Sequence, residues 1–416
     1  MAEFYEPMLF MSTPDHPNTM GVVVVLKEPA DAELLSSVVE TLRTRFPYYY
    51  VRARAVGNDL ELIPNPLPMT IRKTWEPINF NSQASNFHLA AWKVQGNRIA
   101  FEIAHSLTDG AGVLPYIRSV LYLYLTQKTG DCLDPAGFRL PGDTIPPSET
   151  GNPFAGLQAE IDRAEAPLYV KEPTPDFFRL NEGARDPQMI YLKLPESQVM
   201  KFCRENDGSP NVFFSVLLAR AARRTDPESG KTISVAVAID HKAMLGNTDS
   251  YRNFVNVVEL DFHRDRPLDD IMKACTMARG QVVLQAQPEN SLWEMKQRKL
   301  RHAKMEQMPL EMKLGMVAKS AGCVRWSLSV SYANSRTLGP LDPYIAELYV
   351  LSEAGVTDAI LEIACINHSF FLALDQTFSS DHFLNLFLDE LAQNGIDYEV
   401  MGKEPARLCG IEPYAF

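Results

Sequence analysis

The stretch FEIAHSLTDGAG (101–112) alternates through Phe101 and Ile103, then breaks into a polar turn holding His105, Asp109 and Gly110. Alternation of period two marks a half-buried strand, and its loss at His105 marks the strand's end. Just beyond, Val113, Leu114, Ile117, Val120, Leu121 and Tyr124 recur at helical spacing, so a helix is expected over 111–125. A base, a carboxylate and a glycine therefore share one short loop between a strand and a helix, where side chains commonly face a cleft. An imidazole with an ordinary pKa of about 6.5 suits proton removal at neutral pH. The bland alternative is a loop histidine bonded to nearby backbone, with Asp109 capping the helix.

Upstream, GVVVVLK (21–27) reads as a buried strand, and 31–46 as a helix capped by Asp31 and ended by Pro47. Residues 49–63 read as a hairpin around Gly57-Asn58-Asp59, with Tyr48-Tyr49-Tyr50 as strand rather than as a stacking platform. The segment 128–188 is rich in proline and poor in periodicity, as expected of a crossover draped over the surface. Downstream, strands are expected at 189–194, 234–239, 254–262, 326–332, 345–352, 359–366 and 369–375. Helices are expected at 196–206, 211–224, 268–286, 291–314 and 381–393. Mixed strands and helices in both halves predict an α/β protein of two lobes, 1–175 and 189–416.

The chain has 416 residues, 46% of them hydrophobic and 22% charged, enough to build large cores. Its net charge of −12 argues against a nucleic-acid or anionic-membrane partner. There is no apolar run of about 20 residues to span a bilayer and no signal-peptide pattern. Six cysteines lie far apart with no C-x-x-C pair, and no trio of His, Asp or Glu has metal-ligand spacing. Free thiols, no bound metal and a cytoplasmic location are the expectation. His368 and His382 are read as core or capping residues.

The H-S-L-T-D-G run after a strand resembles the active-site motif of the chloramphenicol-acetyltransferase-like superfamily. That group includes condensation domains, plant-type acyltransferases and alcohol acetyltransferases. The resemblance continues in order through NVFFSVLLARAARR (211–224), SVAVAIDHK (234–242), YRNFVNVVEL (251–260) and SVSYANSRTLGPL (329–341). It implies two such lobes, each a mixed sheet with helices, with an active-site channel between them. It also implies an acyltransferase with His105 as general base and Asp109 as a structural residue paired across the lobes. The paired position is usually Arg and is here Lys242, a point charge in place of a bidentate fork. By family position Tyr332 or Asn334 would stabilise the oxyanion, and Gly110 would let the backbone approach substrate. The chain departs from condensation domains at Ala104, where a second histidine is usual, and a free-standing acyltransferase rather than a peptide-synthetase module is the expectation. The D-F-G-W-G sequence of plant acyltransferases is also missing.

These features imply acyl transfer from acyl-CoA as co-substrate, with no permanently bound cofactor, to an alcohol or amine acceptor. An acyl-carrier-protein donor and a non-catalytic binding member of the fold are the alternatives. KQRKLRHAK (296–304) places five cations in nine residues. Lys299 and Arg301 are candidate contacts to an anionic donor, against the plainer reading of a solvated helix face.

Overall fold

A computed structural model describes residues 10, 12–14, 16–172, 174–244, 246, 248–266, 268–321, 324–333 and 338–414. The first half supplies β1 (Thr19–Leu26), α1 (Ala32–Thr41), β2 (Val51–Val56), β3 (Asp59–Pro64), β4 (Ile71–Arg72), β5 (Asn79–Phe80), β6 (Ala90–Gln95), β7 (Arg98–Ala104) and α2 (Gly110–Thr129). Two short helices, α3 (Pro147–Thr150) and α4 (Gln158–Arg163), lie in the crossover. After them come β8 (Arg185–Pro195), α5 (Glu196–Glu205), α6 (Pro210–Thr225), β9 (Ile233–Asp240), α7 (His241–Met244), β10 (Val255–Phe262), α8 (Ile271–Gln285), α9 (Pro288–Met305) and α10 (Leu310–Ala321). The chain continues through β11 (Leu328–Tyr332), β12 (Ile345–Ser352), β13 (Ala359–Ile366), β14 (Ser369–Phe378), α11 (His382–Gln393), β15 (Glu399–Pro405) and β16 (Gly410–Ile411).

Two mixed sheets organise these elements. One has five strands in the order β12-β1-β7-β6-β4, the other seven in the order β10-β9-β11-β13-β14-β8-β15. β1 is buried along its whole length because it lies inside the first sheet, antiparallel to β7 on one side and β12 on the other. Sheet membership therefore parts from sequence order: β12, from the second half, completes the first-half sheet, and β16 pairs with β5. The faces that β12 offers are legible in its alternation, but the edge it joins is not, because side-chain period says nothing about partner choice.

The seven-stranded sheet has two unlike faces. Val235 and Val237 of β9, Val330 of β11 and Leu361 and Ile363 of β13 point to a core closed by α6 and α11. On the opposite face Ala236, Ala238, Ser329, Ser331, Ile360 and Glu362 line a cavity instead. Period-two alternation sends each set to its own side, and the small Ala and Ser side chains leave the second side open.

Several expectations change here. The helix expected at 291–314 is two, α9 and α10, separated around Pro309, which cannot continue an α-helix. Pro47, Tyr48 and Tyr49 form a 3-10 turn rather than strand, since Pro47 presets a helical φ. Tyr48 stacks on Tyr251 with the ring centroids 4.0 Å apart, and Tyr49 packs at a tilt against Tyr116 at 5.1 Å. Nor is the crossover merely draped. Phe154, Ile161 and Phe178 are buried, as is Glu149, whose carboxylate takes Arg45 at 2.6 and 2.8 Å and Arg139 at 2.9 Å. His368 is exposed in the β13–β14 turn, and His382 opens α11 beside Glu182 at 3.0 Å, so neither belongs to a core.

Candidate active site

His105 follows the last residue of β7, and its backbone N–H donates to the Asn18 carbonyl at 2.8 Å. Its ring Nδ1 lies 2.7 Å from the Thr108 carbonyl oxygen, a contact that needs a proton on Nδ1. Asn253 Nδ2, which carries only donor hydrogens, lies 3.0 Å from the same Nδ1 and 2.7 Å from the His105 carbonyl oxygen. With Nδ1 protonated, the amide donates to the carbonyl, and the approach to Nδ1 is only proximity. The tautomer so assigned leaves the lone pair on Nε2, which makes no hydrogen bond among the described residues.

Asp109, four residues on, does a different job. It caps α2, accepting the Gly112 N–H at 2.8 Å, and is wholly buried. Its other partners come from 133 and 145 positions away: Lys242 Nζ at 2.9 and 2.8 Å, and the Phe254 N–H at 3.0 Å. The Lys242 ammonium, also fully buried, spends its remaining protons on the Ser250 and Arg252 carbonyls at 3.1 and 2.7 Å. Both charges are thus compensated and saturated with hydrogen bonds, the condition under which a buried pair is tolerated. Lys242 sits in α7, two residues past the end of β9, with its N–H on Asp240 Oδ1 at 2.8 Å. Asp109 is an acceptor already full on every side. It has no lone pair to offer a substrate.

Two glycines of the loop differ sterically. A Cβ on Gly110 would meet nothing within 4 Å, although Gly110 lines the cavity. A Cβ on Gly112 would collide with the Tyr251 carbonyl oxygen and lie 2.6 Å from Thr108 Oγ1. That hydroxyl donates to the same Tyr251 carbonyl at 2.6 Å, so the 105–112 loop is stitched to the chain around 251 at several points.

The cavity beside His105 measures about 570 Å³. Its walls come from both sheets: Asn18, Thr19 and Met20 at the start of β1, the open face described above, and the end of β12 with the loop 353–357. Tyr332 lines it, while Asn334 lies outside the described residues. Lys299 and Arg301 are not among its lining residues. Lys299 pairs with Asp162 at 2.5 Å and Arg301 with Glu294 at 2.7 Å on a solvent-facing stretch of α9.

The cavity's other charged groups went unnoticed in the sequence. Burial raises the carboxyl pKa of Glu362 on β13, partly offset by hydroxyl contacts from Ser352 at 2.6 Å and from Ser331. Burial, with help from Glu102, lifts Glu353 to about 7. Burial also raises Asp240, against the pull of Lys242. Arg185 lines the same space. Nothing in the local sequence distinguishes Glu353 from an ordinary acid at a strand end, or Glu362 from an ordinary polar residue within a strand. Asn253 was within reach, since it lies in the same YRNFVN run as Asn256, the residue matched to the family strand. No group of three or more His, Cys, Asp or Glu among the described residues could hold a metal ion.

No protein-family model and no curated protein sequence matches the chain. Solved structures do. Polyketide synthase associated protein 5 from Mycobacterium tuberculosis matches with a TM-score of 0.62 at 13% identity, over 94% of this chain and 96% of that one. F. sporotrichioides TRI101, complexed with coenzyme A and T-2, matches with a TM-score of 0.59 at 9% identity, over 95% and 98%. The condensation domain of the Monacolin K polyketide synthase MokA matches with a TM-score of 0.53 at 12% identity, over 93% and 94%. Across nearly its whole length, the chain has the two-lobed chloramphenicol-acetyltransferase-like fold of acyltransferases and condensation domains.

Proposed function

We propose that the chain is an acyltransferase that moves an acyl group from a coenzyme A thioester to an alcohol or amine, with His105 as general base. The observation that carries this reading is the imidazole itself: the Thr108 carbonyl takes the Nδ1 proton, and Nε2 is left basic beside an inter-lobe cavity. Histidine with one nitrogen held by a fixed acceptor is the arrangement a general base needs. Nε2 removes the acceptor's proton as its oxygen or nitrogen bonds to the thioester carbonyl carbon. The oxyanion so formed lies near Tyr332, the described candidate donor. Collapse breaks the carbon–sulfur bond, and the thiolate receives from Nε2 the proton that the acceptor lost. The sequence has no G-x-S-x-G elbow, so the reading is direct transfer without an acyl-enzyme. Asp109 and Lys242 hold the loop that presents His105.

Coenzyme A as donor is supported by the likeness to the coenzyme A-bound TRI101. The likeness to a condensation domain and a polyketide synthase associated protein supports a second reading, an acyl-carrier-protein donor. The described cysteines are free, which fits a cytoplasmic protein, and no described helix is long and apolar enough to cross a membrane. The test is acceptor-dependent thiol release from acetyl-CoA and longer acyl-CoAs against a panel of alcohols and amines. Release from acylated carrier protein but from no coenzyme A thioester selects the second donor. No acceptor-dependent release from either overturns the acyltransferase reading and leaves the fold as a binding module.

A further inference from the structure

The carboxylates around the cavity are not alike. Asp109 is consumed by Lys242, and Asp240 accepts the Lys242 N–H. Glu362 and Glu353 remain. Among the described residues neither has an ion-pair partner within 4 Å. Glu362 is 5% exposed, and its Oε1 accepts the Ser352 hydroxyl while its Oε2, with the Ser331 hydroxyl nearby, completes no hydrogen bond. It stands on the open face of β13, beside Ile360 and across from Ser331 of β11, close enough to His105 for their charges to interact. Behind it on β14, Asp375 is 2% exposed and its Oδ1 is likewise unpartnered. The one described cation lining this space, Arg185, influences Glu353 and Asp375 electrostatically without pairing to either.

A native interior rarely leaves a carboxylate oxygen both buried and unpartnered, because the uncompensated group is expensive to desolvate. Much of the surrounding wall is small or apolar, with Ala236, Ala238, Val255, Val257 and Ile360 along it. The empty space thus pairs an apolar surface with an acidic end whose carboxylates make no direct ion pair, Arg185 acting on Glu353 only at a distance. A neutral hydroxyl could fill one acceptor position but could not balance the charge. An ammonium does both.

We propose that Glu362, assisted by Glu353, anchors the acceptor, and that the acceptor carries a protonated amine at a position separate from its reacting hydroxyl or amine. This rests on the acyltransferase reading for the word acceptor, but the subsite itself is defined without a donor. The substrate class is an aliphatic amino alcohol or a diamine: the reacting end lies at His105, the methylene body on the Ala and Val wall, and the ammonium on Glu362.

The experiment is calorimetric titration, without any thioester, of 6-amino-1-hexanol and of 1,6-hexanediol into the wild-type chain and into His105→Ala. The expected result is binding of the amino alcohol at least about tenfold tighter than the diol in both proteins, since a charge-assisted contact to a buried carboxylate is present for one ligand only. Glu362→Gln, nearly isosteric, should abolish that preference while leaving diol affinity and melting temperature close to wild type. Equal affinities in the wild type, no measurable binding of the amino alcohol, or a preference that survives in Glu362→Gln/Glu353→Gln would each overturn the proposal. Thiol release is scored separately, so a chain that binds the amino alcohol but releases no thiol keeps this subsite and loses only the transferase reading.

Discussion

The loop 105–112 and the basic run 296–304 both drew attention in the sequence through their charged groups, and the structure treats them in opposite ways. The loop sends its charge far along the chain: Asp109 meets Lys242, 133 residues away, and His105 meets Asn253. The run pairs its charge at the surface, Arg298 and Arg301 on Glu294 of the same helix and Lys299 on Asp162, 137 residues away but exposed. Charge compensated where water still reaches both partners is a solubility device. Charge compensated across a lobe boundary, with both partners fully buried, defines where two bodies meet. The number of charges in a stretch is thus a poor guide to its importance, and the burial of their partners a better one.

The comparison breaks most readily at His105. His105→Ala should lower kcat by roughly 10²–10⁴ while substrate binding stays near wild type, because the proton is removed only in the transition state. Full activity in that variant would remove the loop's claim to chemistry and make it a structural joint alone.

The next largest effect belongs to the joint itself. Asp109→Asn or Lys242→Ala strands its partner as a buried charge, at about 3–5 kcal/mol in denaturant unfolding. The double variant should cost clearly less than the sum, since each single change already breaks the pair. Additive losses would mean that the two residues act independently, contrary to the contact seen here.

Gly112→Ala sharpens the comparison from the steric side. The new methyl would press on the Tyr251 carbonyl, and a loss of about 1–3 kcal/mol in stability is expected. Gly110→Ala, with open space around its Cβ, should leave stability near wild type. A reversed order of melting temperatures would contradict this placement of the loop.

The smallest effect should come from the basic run. Reversing Lys299 and Arg301 to Glu breaks exposed pairs and should change stability by only about 0–1 kcal/mol. Because neither residue lines the cavity, the KM for a coenzyme A donor should stay unchanged at low salt. A raised donor KM that recovers as salt is added would show that the run does meet the donor after all.

Much of this was legible because it was local. The strands at 345–352 and 359–366 have the expected limits, and β7 ends just before His105 as expected, for alternation is carried by the residues themselves. β6 went unseen because Lys93 interrupts its apolar run, and the reason Lys93 can sit buried there is Glu102, 2.7 Å away on the neighbouring strand. A strand whose charge is answered by another strand does not look like one in isolation. The site divides in the same manner. His105, Asp109 and Lys242 stood out through a motif and its spacing. Asn253, Gly112, Glu353 and Glu362 acquire meaning only from what the fold sets against them, and no periodicity encodes that.

The strand β12 has a consequence for how the molecule comes into being. One edge of β1 finds its partner only at Ile345–Ser352, so at a ribosome adding about 5–20 residues per second that edge waits roughly 16–65 s for its neighbour to emerge. The waiting segment, GVVVV, is apolar, β-branched and uncharged, the composition that invites pairing with a foreign edge. The nascent first half is therefore the aggregation-prone stage in this chain's life, and a nascent-chain chaperone should contact residues 19–26 until translation passes 352.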